Sequence, residues 1–176
     1  DLPIFMKQAS AAELTAGTKL VFPAAGFQHT LMKKDFTPEG MLFGHNTLYF
    51  DNPNGTPMAK EFVAWYADKY KDYPNWEADR AYFAIASYKE AVERAAKAKG
   101  GWPAPADVVA AMEGGLSVDS LGGKGSWRKD HIADQTFVQG FTKYDNKYDF
   151  VTLDNSRIET MYSADLQKPA GADFWE

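Results

Sequence analysis

The stretch FTPEGMLFGHNTLYFDNPNGTPMAKEFVAWYADKY, residues 36–70, begins with a turn and an apolar run. It passes through an Asn/Pro/Gly loop into a segment dense in aromatic rings. Residues 40–50, GMLFGHNTLYF, read as a strand. Thr56 and Pro57 supply an N-cap and a first helical residue. Met58, Phe62, Trp65, Tyr66 and Tyr70 then recur at spacings of three and four, one apolar helical stripe. A strand that leads through such a loop into a helix this rich in rings admits two readings. One is ordinary core building, the commoner use of such a stripe. The other is a crossing between two lobes around a ligand.

Outward from this stretch the same signals continue. Residues 2–16 read as a helix closed by Gly17, and residues 18–22, TKLVF, as a short strand before Pro23. AAGFQHTLMKK reads as a small-residue loop running into a short helix. Pro74 separates the aromatic helix from a second one over 76–99, with Ala78, Tyr82, Ile85, Tyr88, Val92 and Ala95 on one face and Gly100 and Gly101 as its stop. A short helix follows over 105–114. Beyond residue 115 the pattern changes to short strands separated by Gly, Asp and Asn turns, with RIETMYSADL read as a last helical turn or two. Helices and strands alternate early and strands pair late, which indicates an α/β class with an antiparallel addition.

The totals bound the function. The chain has 176 residues, enough for a sizeable core, with 45% hydrophobic, 24% charged and 15% aromatic residues. A net charge of −5 argues against nucleic acid or an anionic membrane as partner. There is no cysteine, so disulfides, thiol catalysis and thiolate metal sites are excluded. No apolar run approaches the roughly 20 residues of a membrane span. The sequence opens on Asp without a signal-peptide pattern, and reads as a mature or partial chain.

Catalytic signatures are absent. His29, His45 and His131 share no helix face or ligand spacing and read as isolated surface or capping residues; no metal is expected. GGKGS at 122–126 lacks the spacing of a phosphate loop and reads as a tight turn between strands. No nucleophile-elbow G-x-S-x-G occurs. NGT at 54–56 fits a glycosylation sequon, but Thr56 is better explained as a helix cap. The residues alone therefore describe an α/β protein without an enzyme's signature, and no cofactor is expected.

The blocks LPIFMKQASAAELTAGTKLVF, FTPEGMLFGHNTLYFDNPNGTPMAKEFVAWYADKY, YPNWEADRAYFAIASYKEAVERA, PADVVAAMEG, GGKGSWRKDHIADQ, TFVQGFTKYDNKYDFV and PAGADFW follow one another in a familiar order and spacing. Together they resemble the extracytoplasmic solute-binding proteins of ABC importers, the type I periplasmic binding fold of the branched-chain amino acid group. The resemblance implies a two-lobed α/β fold of which this chain is the C-terminal half. Residues 1–46 would belong to the C-terminal lobe, 47–132 to the N-terminal lobe, and 133–176 to the C-terminal lobe again. The Asn/Pro/Gly loop would then lie just past a hinge crossing, where short segments absorb the rotation of domain closure. The implied partners are a small-molecule solute, a membrane permease, and an N-terminal half supplied by another polypeptide, removed by cleavage or otherwise outside this sequence. The implied location is periplasmic. A ligand-sensing domain of the same fold, in a receptor or regulator, is the alternative.

The resemblance also nominates ligand contacts. Ala25, Gly26, Phe27 and Gln28 occupy the loop after the strand TKLVF, and Ala78, Asp79 and Tyr82 the first turns of the second helix. In amino-acid binders of this group an acidic residue in that loop holds the ligand ammonium; here the matching place is Ala25. A standard α-amino acid is therefore not expected; an aromatic or aliphatic acid, an amide, another neutral solute or an amino-acid-like molecule without that ammonium contact is, bound without chemistry by closure of the lobes.

Overall fold

The structure, a computed structural model, describes residues 1–173. Helix α1 (Leu2–Ala11) precedes a short strand β1 (Val21–Phe22), a 3₁₀ segment (Ala25–Leu31) and strand β2 (Leu42–Asn46). Helices α2 (Pro57–Tyr70), α3 (Trp76–Lys99) and α4 (Pro105–Glu113) follow. Six strands complete the chain: β3 (Ser117–Ser120), β4 (Gly123–Trp127), β5 (Ala133–Asp134), β6 (Thr136–Lys143), β7 (Thr152–Leu153) and β8 (Glu159–Tyr162).

Two sheets result. In the first, β1 is parallel to β2, β2 is antiparallel to β6, and β7 and β8 pair with successive parts of β6. The second is the antiparallel ladder β3-β4-β5. The chain leaves the first sheet after β2 and re-enters it at β6. At the exit the β2–β6 register shifts between Gly44 and Asn46, and Asn46 adopts φ 48°. This bulge turns the chain out of the ladder towards α2.

Each sheet has its own core. Met6, Met32, Met41, Phe43, Tyr49 and Phe150 pack around the first sheet. Ala91, Ala95, Val108 and Leu116 pack α3 and α4 onto the second. A third cluster of Leu48, Ala59 and Leu121 joins the exit segment to α2 and the β3–β4 turn. Burying a side chain such as Phe43, 1% exposed, contributes about 2–3 kcal/mol.

Local chemistry explains the element ends. Thr56 Oγ1 accepts from Ala59 N at 3.0 Å and donates to Leu121 O at 3.0 Å, so this residue caps α2 and ties it to the second sheet. Asn75 caps α3, its Oδ1 accepting from Glu77 N at 3.0 Å. Gly100 ends α3 with φ 72°. The β3–β4 connection is a tight turn at Leu121–Gly122, as the glycine-rich stretch predicts.

Several expectations need correction. The first helix ends at Ala11 rather than residue 16, and Glu13 turns the chain with φ 56°. Leu14 stays exposed, so continuing the helix would bury nothing. RIETMYSADL forms β8 and only a 3₁₀ turn, because the free edge of β6 offers Thr160 and Tyr162 a ladder. The face predicted for α3 is wrong from Tyr82 to Tyr88, although Ala95 is buried and Val92 packs beside it. Asp79, Phe83, Ser87 and Ala91 are buried, with Phe83 stacked on Trp127 at 5.5 Å, whereas Ile85 and Tyr88 are 72% and 60% exposed. Likewise Phe62 and Met58 of α2 pack inward while Trp65 and Tyr70 remain exposed. The block PAGADFW lies partly outside the described residues.

Two glycines set the approach of the 3₁₀ segment to β2. A Cβ on Gly44 would lie 1.9 Å from the Pro23 carbonyl oxygen, and one on Gly26 would lie 2.7 Å from the His45 Cα. Gly44→Ala is therefore expected to destabilise the protein by roughly 3 kcal/mol or more. Gly101→Ala, which meets nothing within 4 Å, serves as the control and should be near neutral. Chemical denaturation of both variants checks this; equal stabilities would refute the close packing.

Candidate functional site

The 3₁₀ segment Ala25–Leu31 lies at the end of the first sheet and faces the junction of α2 and α3. Between them is a groove of about 240 Å³ whose lining includes Phe27, Gln28, His29, Tyr66, Tyr73 and Asn75. The two sides touch. Asn75 Nδ2 donates to the Phe27 carbonyl at 3.2 Å, and the Phe27 ring lies 6.4 Å from that of Trp76.

Beneath the groove is an aromatic floor. His29 stacks on Phe50 at 5.0 Å, Phe50 meets Tyr73 at 4.5 Å, and Tyr73 meets Tyr148 at 5.2 Å. Phe50, from the exit segment, is core and at the same time supports a wall of the groove.

Of the expected contacts, Phe27 and Gln28 line the groove. Phe27 is 44% exposed, and Gln28 occupies the kink in the 3₁₀ segment at φ −125°, ψ 30°. Ala25 and Gly26 are buried behind them, holding the segment against β2. Ala78 is half-buried in the first turn of α3. Asp79 is wholly buried, its Oδ1 accepting from Ser120 Oγ and, at 3.2 Å, from Gly122 N, and so fastens α3 to the β3–β4 turn. Tyr82 is partly exposed outside the groove, its hydroxyl 3.4 Å from Met58 Sδ.

The structure adds residues that sequence reasoning missed. Asp72, Glu77, His29, Tyr66 and Tyr73 all border the groove. The expectation about an ammonium rested on Ala25, but the α2–α3 junction brings two carboxylates to the same space. The signal for that junction was present in DYPNWE, residues 72–77: a proline stop followed by an Asn cap.

Of the histidines, His131 lies on the surface as expected, and His29 and His45 do not. His131 is exposed and pairs with Glu113 at 2.7 Å. His29 and His45 are 3% and 2% exposed, with ring centroids 5.6 Å apart. The glycine-mediated approach of the 3₁₀ segment to β2 buries both. The His29 Nδ1–H donates to Gly26 O at 3.0 Å, leaving Nε2 as a buried acceptor with no partner among the described residues. Burial holds the His29 pKa below the usual value, opposed by the Gly26 hydrogen bond and the Asp72 charge. It holds that of His45 well below, with the neighbouring His29 adding to the effect.

A larger recess, about 520 Å³, lies beside β7 and is lined by Asp51, Lys143, Asp145, Lys147 and Asp154 among others. Its charges pair with one another: Lys143 lies 3.9 Å from Asp145 and 4.0 Å from Asp154. No expected contact falls there. Among the described residues no group of three or more His, Asp or Glu could hold a metal ion, and no helix is long and apolar enough to cross a membrane.

The described residues thus form two α/β layers joined by crossing segments, with a small groove at their junction. The chain belongs to the periplasmic binding protein family, whose sequence profile matches residues 1–143. It is similar in structure to a solute-binding protein of an ABC transporter from Rhodopseudomonas palustris BisB5 in complex with 3,4-dihydroxybenzoic acid. The TM-score is 0.64 at 23% identity, covering 86% of this chain and 41% of that one. A solute-binding protein from R. palustris in complex with benzoate aligns with TM-score 0.56 at 21% identity, covering 89% and 41%. A leucine-binding protein from Thermotoga maritima aligns with TM-score 0.60 at 18% identity, covering 88% and 42%. The chain thus spans about two fifths of the length of these proteins. No curated protein matches it.

The pH dependence of stability follows from the buried histidines. Burial holds both folded-state pKa values below that of an unfolded histidine, which takes up a proton near pH 6.5. The unfolded chain therefore binds more protons as pH falls through that value, and stability falls with it. Above it the full stability is present. Thermal melts between about pH 7.5 and 5 should show this decline, and His45→Phe should flatten part of it. A wild-type profile without slope in that interval would contradict the burial of neutral rings.

Proposed function

We propose that this chain is part of the extracytoplasmic solute-binding component of an ABC importer. It grips a small organic solute between lobes and releases it unchanged to a membrane permease. The observation that carries this reading is the family match over residues 1–143, combined with a groove at the junction of the two layers. The relatives in complex with benzoate and with 3,4-dihydroxybenzoic acid favour a solute of similar size, an aromatic or aliphatic acid, amide or amino-acid-like molecule.

In this reading residues 1–46 and 133–176 serve one lobe and 47–132 the other. The close packing at Gly44 would hold the 3₁₀ segment rigid while the segment after the bulge at Asn46 absorbs the closing rotation. A companion N-terminal half would complete both lobes. Support for it comes from the apolar surface left in water: Tyr82, Ile85 and Tyr88 along α3, and Ile4, Phe5 and Val21 at α1 and β1.

A thermal-shift screen of small acids, amides and amino acids on the full-length protein tests the proposal. A solute at a hundred times its Kd should stabilise the folded state by about 2.7 kcal/mol. Phe27→Ala, at an exposed position, should leave the unliganded melting point nearly unchanged and remove most of the shift. A shift that survives this change places the solute elsewhere, and no shift with any solute class counts against solute binding.

A further inference from the structure

A second space lies between the layers, across the crossing segments from the groove. It is a pocket of about 300 Å³. Leu121, Gly122 and Asn54 line one wall, and Thr136, Val138 and Thr160 the other. The groove is walled by the segment that follows β1, whereas the pocket lies over β6 and β8, at the other end of the strand order β1-β2-β6-β8. The end of β2 and the start of β6, where the chain passes between layers, stand between the two.

Each wall of this pocket belongs to a different layer. On one side the exit segment is pinned to the second sheet. A Cβ on Gly122 would lie 1.9 Å from the Thr47 carbonyl oxygen, and Thr56 Oγ1 donates to Leu121 O at 3.0 Å. On the other side β8 is laddered to β6 within the first sheet, with Thr160 opposite Val138. The two spaces are in opposite states. The groove is bridged at Phe27, whose carbonyl accepts from Asn75 Nδ2 at 3.2 Å, while the pocket stands open. A rotation about the crossing segments that parts the groove brings the pocket walls together. Packed atoms resist overlap, so the side chains on those walls limit the swing. Thr136 already sits against the β3–β4 turn, since a Cβ on Gly123 would lie 2.9 Å from its Oγ1. Thr160 is small and exposed, and leaves the gap unfilled.

We infer that Thr160 is a positioning residue: its size sets how far the layers swing apart, and through that the affinity for a solute it does not touch. This extends the solute-binding reading above, on which it rests, to a residue outside the groove.

A ring at position 160 should prop the pocket open and hold the groove narrow. Small-angle X-ray scattering of the unliganded full-length protein reads this without any solute. Thr160→Trp should give a smaller radius of gyration than wild type. Glu159→Trp puts the same ring on the opposite face of β8 and should scatter as wild type does. Thr160→Phe, a smaller ring, repeats the test should the tryptophan variant fail to fold. Benzoate is the binding probe, followed by calorimetry and stopped-flow mixing. Thr160→Trp should tighten it by about fivefold or more, through slower dissociation, and Glu159→Trp should not. A radius unchanged in a folded Thr160 variant overturns the inference, as does a change shared equally by Glu159→Trp. Benzoate bound equally by wild type and Thr160→Trp overturns it too. If the radius shrinks and benzoate binds neither protein, the swing is as inferred and the fault lies with the solute assigned to the groove.

Discussion

The close approach of two backbones, made by Gly26 and Gly44, is the constraint on which the site depends. A methyl group on either would push the 3₁₀ segment away from β2. With both glycines in place, the segment seats on the sheet end and buries Ala25, Gly26 and His29. That seating aims Phe27 and Gln28 at the α2–α3 junction and places the His29 ring on the aromatic floor. A loop left loose here would offer the same residues without a fixed geometry, at an entropic cost to any ligand.

The second determinant is how the chain passes from one layer to the other. The bulge after Gly44 bends the end of β2 outward, and Leu48, Ala59 and Leu121 seal the junction it creates. Polar contacts, buried or partly buried, hold the far side: Asp79 to the β3–β4 turn, and Thr56 to Leu121. Such contacts are directional, so they fix where α3 begins and hence where Asn75 and Glu77 face the groove. Core packing and site geometry are the same set of contacts viewed from opposite sides.

Much of this was legible in the sequence, and the failures have physical causes. The caps Thr56 and Gly100, the helix α3 and the tight turn at Leu121–Gly122 follow from local backbone chemistry, which sequence carries directly. The buried face of α3 was misread because its inward residues are small or polar, Asp79, Ser87 and Ala91, and its exposed ones are large and apolar. Periodicity assigns the larger rings to the core; here a close helix–sheet contact, with Phe83 against Gly125, favours the small ones. The burial of His29 and His45 was equally invisible, since it arises from glycines that matter only once two distant segments meet. Phe27 and Gln28 were reached through family resemblance. Asp72 and Glu77 were not: the proline stop and Asn cap in DYPNWE mark the helix junction, but nothing local says which distant segment that junction faces.

Hydrogen exchange of the full-length protein, with and without its solute, tests the central claim most directly, because it reports on backbone amides without altering a side chain. A solute clasped between the layers should slow exchange on both sides of the groove, at residues 26–31 and 72–78, and at the exit segment after Asn46. Protection confined to the recess beside β7, or absent from every segment while the solute is bound, would contradict it.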